Sequence, residues 1–89
     1  MFNFETVVEA GIKPRHVTRL LNVSRVTASN WLRGVTQPHP FIQEKAQALL
    51  DAVDAAVEDG VLPVPHQLPQ DEKSVKTLSI VRSYMEQNG

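Results

Sequence analysis

Cysteine is absent from the chain, which excludes disulfides and thiolate metal sites. His16 and His39 each stand alone, with no Asp or second His at ligand spacing, so no metal and no cofactor is expected. A phosphate-binding loop, a clustered His/carboxylate set and a carboxylate pair in an apolar setting are all missing, and the expectation is a non-enzyme. The amino-terminal Met1-Phe2-Asn3-Phe4-Glu5 has neither the basic nor the apolar region of a signal peptide. No apolar run approaches the roughly 20 residues that span a bilayer. A soluble cytoplasmic protein of bacterial or phage type is the default. Repeats and low-complexity tracts are also lacking, and 89 residues allow one domain with a modest core.

One further absence is informative. Between Pro14 and Gly34 there is no acidic residue, while Arg15, Arg19, Arg25 and Arg33 give the stretch a charge of +4. Residues 41–72 hold one lysine against seven acids, a net of −6. The formal total of −1 therefore hides two halves of opposite sign. Local field decides whether a surface attracts phosphate, so the basic half is suited to DNA while the acidic half faces solvent.

The basic half carries two short amphipathic segments. In Pro14 to Leu21 the apolar residues Val17, Leu20 and Leu21 fall at i, i+3, i+4, one side of a helix with Pro14 at its first position. In Arg25 to Arg33 the residues Ala28, Trp31 and Leu32 repeat that spacing. Asn22-Val23-Ser24 separates them: Asn22 tolerates the left-handed region, Val23 plugs the angle, and Ser24 caps the helix that follows. This is the layout of a helix-turn-helix.

On the second of these helices Trp31 belongs to the inward set, which makes it core before it is a stacking platform for bases. Val26, Ser29, Asn30 and Arg33 share the outer face, with Arg25 and Thr27 on its flanks. Asn pairs bidentately with adenine, Arg with guanine, and a Val methyl meets the thymine methyl, so Arg25, Val26, Ser29, Asn30 and Arg33 are the candidate base contacts. Candidate phosphate contacts are Arg15, Arg19, Ser24, Thr27, Thr36 and Gln37. A merely solvated face for the two arginines of the first helix, and a plain connector for Thr36 and Gln37, are the competing readings.

Around this unit the chain predicts further helices. Phe4 to Ala10 reads as a short first helix with Asn3 as cap, Phe4, Val7 and Val8 as its apolar side and Gly11 as its stop. Val35 to Pro40 is a loop. Pro40 opens the longest helix, which runs to Asp59 with Ile42, Ala46, Leu49, Leu50, Val53, Ala56 and Val57 as its apolar stripe and Glu44, Asp51, Asp54 and Glu58 opposite. Phe41, Ala48, Ala52 and Ala55 form a second smooth face, available to the carboxy-terminal segment of the same chain or to a partner subunit. Val61 to Pro69, with three prolines, should be extended and lie on the core or a partner. Gln70 to Gln87 reads as a last helix with Leu78, Val81 and Met85 on one side, although Val75, Thr77, Ile80 and Val81 also suit a strand. The expected fold is all-α, a compact bundle of about five helices. Residues 1–60 form a helix-turn-helix domain with a long closing helix, and 61–89 a connector and terminal helix that packs on the core or dimerises.

Residues 12–38 resemble the lambda-repressor/Cro-like (XRE-type) helix-turn-helix family. Val17, Leu20, Leu21, Val23, Ser24, Ala28, Trp31 and the Gly34 to Pro38 loop carry the resemblance. NVSRVTASNWLRGVTQP is similar to the family's usual run, roughly GVS-R-x-T-V-S-x-W-x-x-G-x-x-x-P. Asn22 stands where glycine is commoner, Thr18 replaces the usual alanine at the helix crossing, and Pro14 replaces a glutamine that often touches DNA. The resemblance implies a dimeric transcriptional regulator of the small phage, prophage or plasmid repressor kind. It would insert the Arg25–Arg33 helix into the major groove of a palindromic operator with half-sites ~10 bp apart. A chain of this size has no room for a separate ligand-sensing domain, so no small-molecule ligand is expected. The alternative is a protein-interaction module, such as an antitoxin or anti-activator, that binds a partner through the acidic and apolar carboxy-terminal half.

Overall fold

The computed structural model describes residues 2–65 and 67–88. It is an all-α bundle of five helices: α1 Glu5–Glu9, α2 Pro14–Leu21, α3 Arg25–Leu32, α4 Gln43–Glu58 and α5 Gln70–Asn88, with a 3-10 turn at Pro40–Ile42 ahead of α4. No strand occurs among the described residues. No helix among them is long and apolar enough to cross a membrane.

Local chemistry sets the ends of the early helices. Asn3 Oδ1 accepts from the Glu5 N–H at 2.9 Å. Lys13 is extended ahead of Pro14, whose missing N–H is one that no helical carbonyl would have received. At the end of α3 the Gly34 N–H reaches the Trp31 carbonyl at 3.1 Å and the Val35 N–H reaches that of Asn30 at 2.9 Å. This double closure needs a left-handed residue, and Gly34 supplies it at φ 74. The loop that follows is fastened where Gln43 Nε2 donates to the Pro38 carbonyl at 3.2 Å.

The core draws on every helix. Val7 of α1, Ile12, Val17 of α2, Leu49 and Val53 of α4 and Val81 of α5 are its largest fully buried side chains, and Ala28 and Trp31 of α3 join them. Burying a side chain such as Leu49 contributes about 2 kcal/mol. Leu62 is also buried, and Val64 and Leu68 are half-buried, so the proline-rich connector lies against the bundle.

α5 forms its most extensive helix contact with α4 and also packs on α2. Ala48, Ala52, Ala55 and Asp59 follow one another at helical spacing, and Tyr84 of α5 donates to Asp59 Oδ2 at 2.5 Å. The smooth alanine face of α4 therefore receives the carboxy-terminal helix of the same chain, and Ala52 is fully buried. That contact settles residues 70–88 as helix: Thr77, Leu78 and Val81 turn inward together at 3.6-residue spacing.

The structure differs from the expectation in several places. α1 is shorter than Phe4 to Ala10, and Val8 is 47 % exposed because five residues turn only one narrow side inward. α3 ends at Leu32, leaving Arg33 as its cap residue. The long helix does not begin as α-helix at Pro40. The tighter 3-10 turn changes the phase of the chain, and Phe41, expected on the smooth face, stands 85 % exposed. Its ring lies 4.1 Å from that of His39.

Candidate nucleic-acid interface

The helix-turn-helix unit is built by the residues between α2 and α3. Asn22 adopts φ 58 and ψ 44, a left-handed geometry that asparagine enters at low cost, and its N–H closes on the Thr18 carbonyl at 2.9 Å. Ser24 is extended and its Oγ accepts from the Thr27 N–H at 3.1 Å, satisfying a free donor of the first turn. The Ser24 hydroxyl also donates to Thr27 Oγ1 at 2.9 Å, so these two proposed phosphate contacts are joined to each other. Beneath α3, Trp31 is buried with its ring 5.9 Å from that of Phe4, which in turn lies 6.3 Å from Phe2. Trp31 is core.

With that side anchored, the opposite side of α3 faces solvent. Val26 is 71 % exposed, Arg25 and Arg33 are exposed, and Ser29, Asn30 and Thr27 are half-buried. Arg33 Nη2 donates to Asn30 Oδ1 at 2.9 Å, so amide and guanidinium are presented as one unit. The loop after α3 brings Thr36 to the surface beside it, its N–H 3.4 Å from the Asn30 carbonyl. Gln37 also holds the amino-terminal segment, its Oε1 accepting from the Phe2 N–H at 2.8 Å.

Arg15 and Arg19 lie elsewhere, on the exposed side of α2. Together with Arg25 they line a groove of about 520 Å³ whose other wall is α5. Arg25 thus joins the α2 arginines, while Val26, Ser29, Asn30 and Arg33 lie outside that lining. The α5 side supplies Asp71, Ser74, Val75 and Leu78. Arg15 Nη2 donates to Ser74 Oγ at 3.3 Å.

Two residues of this region have a part here that the sequence reading did not give them. Ser74 lies 59 residues from Arg15, and nothing in its neighbourhood marks it. His16 is 3 % exposed; its Nδ1 accepts from the Lys13 N–H at 2.9 Å, so the ring proton sits on Nε2, 3.3 Å from Ser74 Oγ. Burial lowers its pKa from 6.5 to about 4, helped by the positive charges of Arg15, Lys13 and Arg19. Its place three residues after an N-cap is where Glu or Gln reaches back in a capping box, and that spacing is the signal that marks it.

Among the described residues no group of three or more His, Cys, Asp or Glu side chains is placed to hold a metal ion. Comparison with family models, with curated proteins and with solved structures returns no match.

Proposed function

We propose that this chain is a sequence-specific DNA-binding transcriptional regulator of the lambda-repressor/Cro-like kind, a small cytoplasmic phage- or plasmid-type repressor that binds a palindromic operator as a dimer. The observation that supports it best is the outer side of α3. Exposed Val26 stands beside the joined Asn30–Arg33 pair, on a helix fixed from below by Trp31. An apolar group for the thymine methyl and paired donors and acceptors for purine edges are what major-groove reading requires. Arg15 and Arg19, with Thr36 on the other flank, supply charge and hydrogen bonds for the backbone on either side. No reaction is assigned to the chain.

The test is selection of bound sequences from a random duplex pool, followed by titration of variants on the selected site. A palindrome with half-sites ~10 bp apart is expected. Asn30→Ala and Arg33→Ala should each weaken binding to it by ~1–3 kcal/mol with the fold intact. A pool that yields no motif, or both variants binding like the parent, would overturn the reading.

A second reading, a partner-binding module, is favoured by one surface. On the outer side of α5, Val75 is 68 % exposed, with half-buried Leu68 and Ile80 beside it and Asp71, Glu72 and Lys76 around them. Stoichiometric co-purification of a protein, with no salt-sensitive DNA binding, would favour it over the first.

A further inference from the structure

We propose that the groove where α5 crosses α2 seats a backbone phosphate of the bound duplex, that Arg25 serves this seat instead of reading a base, and that Ser74 and Asp71 of α5 tune it. The inference rests on the DNA-binding reading above and deepens it.

Three guanidinium groups, from Arg15, Arg19 and Arg25, line a single groove, and Asp71 is the one carboxylate among its lining residues. Arg25 stands apart from the base-reading side by helix geometry as well. At ~100° per residue it lies about 60° from buried Ala28, whereas Val26, Asn30 and Arg33 lie about 140–160° from Ala28, with Ser29 between the two sets at about 100°. A planar guanidinium in such a groove suits a phosphate, which accepts two parallel N–H bonds.

Ser74 acts through Arg15. Its Oγ receives Arg15 Nη2 at 3.3 Å and lies at the same distance from His16 Nε2. The hydroxyl therefore holds a long, mobile cation in one place before the phosphate arrives, so that less freedom is lost on binding. Ser74 is a positioning residue. Asp71 works in the opposite direction: a carboxylate in a seat for phosphate lowers its attraction for every duplex alike. The helix that closes the bundle thereby limits affinity for DNA of any sequence and leaves discrimination to α3.

The test measures affinity against salt concentration for the selected operator and for an unrelated duplex, with inorganic pyrophosphate as a competitor. Arg25→Ala should weaken both duplexes alike, about tenfold at low salt, and reduce the salt slope by about 0.9. Ser74→Ala should weaken both by ~2–3-fold, with Ser74→Thr restoring the parent value. Asp71→Asn should tighten both by ~2–5-fold at low salt, a gain that a misfolded variant cannot give. Millimolar pyrophosphate should compete only weakly, because one groove offers it a fraction of the duplex's contacts. Loss of operator binding alone in Arg25→Ala would make that residue a base contact and overturn the inference. So would unchanged binding in Asp71→Asn and Ser74→Ala, or saturable pyrophosphate binding that displaces the duplex. Where Asn30→Ala still weakens the operator in those cases, the DNA reading survives and only the groove assignment falls. If the parent shows no salt-sensitive binding to any duplex, both fall.

Discussion

Thr18 carries a cost that the fold has not removed. Its Oγ1 is buried with no hydrogen-bond partner among the described residues, on the side of α2 that lines the groove with α5. A hydroxyl taken out of water without compensation costs on the order of 1–3 kcal/mol, and threonine is also a weaker helix former than alanine. Thr18→Ala is therefore expected to raise stability by about 1 kcal/mol, read as an upward shift of the urea midpoint at unchanged slope. A midpoint at or below the parent's would show that the hydroxyl has a partner. Asn22 is the contrasting residue: its φ of 58 is one that asparagine tolerates, and its side chain needs no buried partner.

At the scale of elements, α2 and α5 are tied by His16 and Ser74. The neutral ring fits because Nδ1 accepts from Lys13 and Nε2–H points at the Ser74 hydroxyl. A second proton would turn the acceptor toward Lys13 into a donor. The unfolded chain takes up that proton near pH 6.5, the folded chain only at about 4. Between those values the unfolded state binds more protons, so the stabilisation present above 6.5 is lost as pH falls toward 4. The urea midpoint of the parent should fall over this window more steeply than that of His16→Gln. Glutamine keeps an acceptor for the Lys13 N–H and does not titrate. Equal slopes would sink this account. The two helices of the basic unit were legible in the sequence because Asn22, Ser24 and Gly34 act on their own backbone within a few residues. The α2–α5 tie was not, since Arg15 and Ser74 meet across 59 positions and neither has a local signature. The same holds for Arg25. Its flank position on α3 was readable, but which groove it lines depends on where α5 lies.

For the whole molecule, two faces of α4 decide the shape. One packs on α1 and joins the core shared with α2 and α3, and the alanine face receives α5, giving a radius of gyration of 12.1 Å. A folded chain of this length is expected at about 12 Å, so α5 closes the bundle and does not extend from it. Four exposed acids, Glu44, Asp51, Asp54 and Glu58, occupy the remaining side of α4. The alanine face is thus filled within one chain, and the proposed dimer must form elsewhere on the surface. Two copies are called for because a single small module buries too little to hold a half-site tightly. Light scattering at about 50 µM should give twice the 9.9 kDa of the chain when free, and two chains per duplex on the operator. A mass of one chain in both states would count against the dimer.

The sequence by itself determined the two helices of the basic unit, the turn and cap between them, the inward place of Trp31 and the chemistry displayed on the outer side of α3. Each of these follows from spacing and backbone preference over a few residues. Only the tertiary structure decided that residues 70–88 are a helix, that the alanine face belongs to it, and that Arg25 stands with Arg15 and Arg19 beside Ser74. β-branched residues in that segment satisfy a strand as well as a helix until a surface is present to pack against. Contacts between distant residues exist only once that packing has been made.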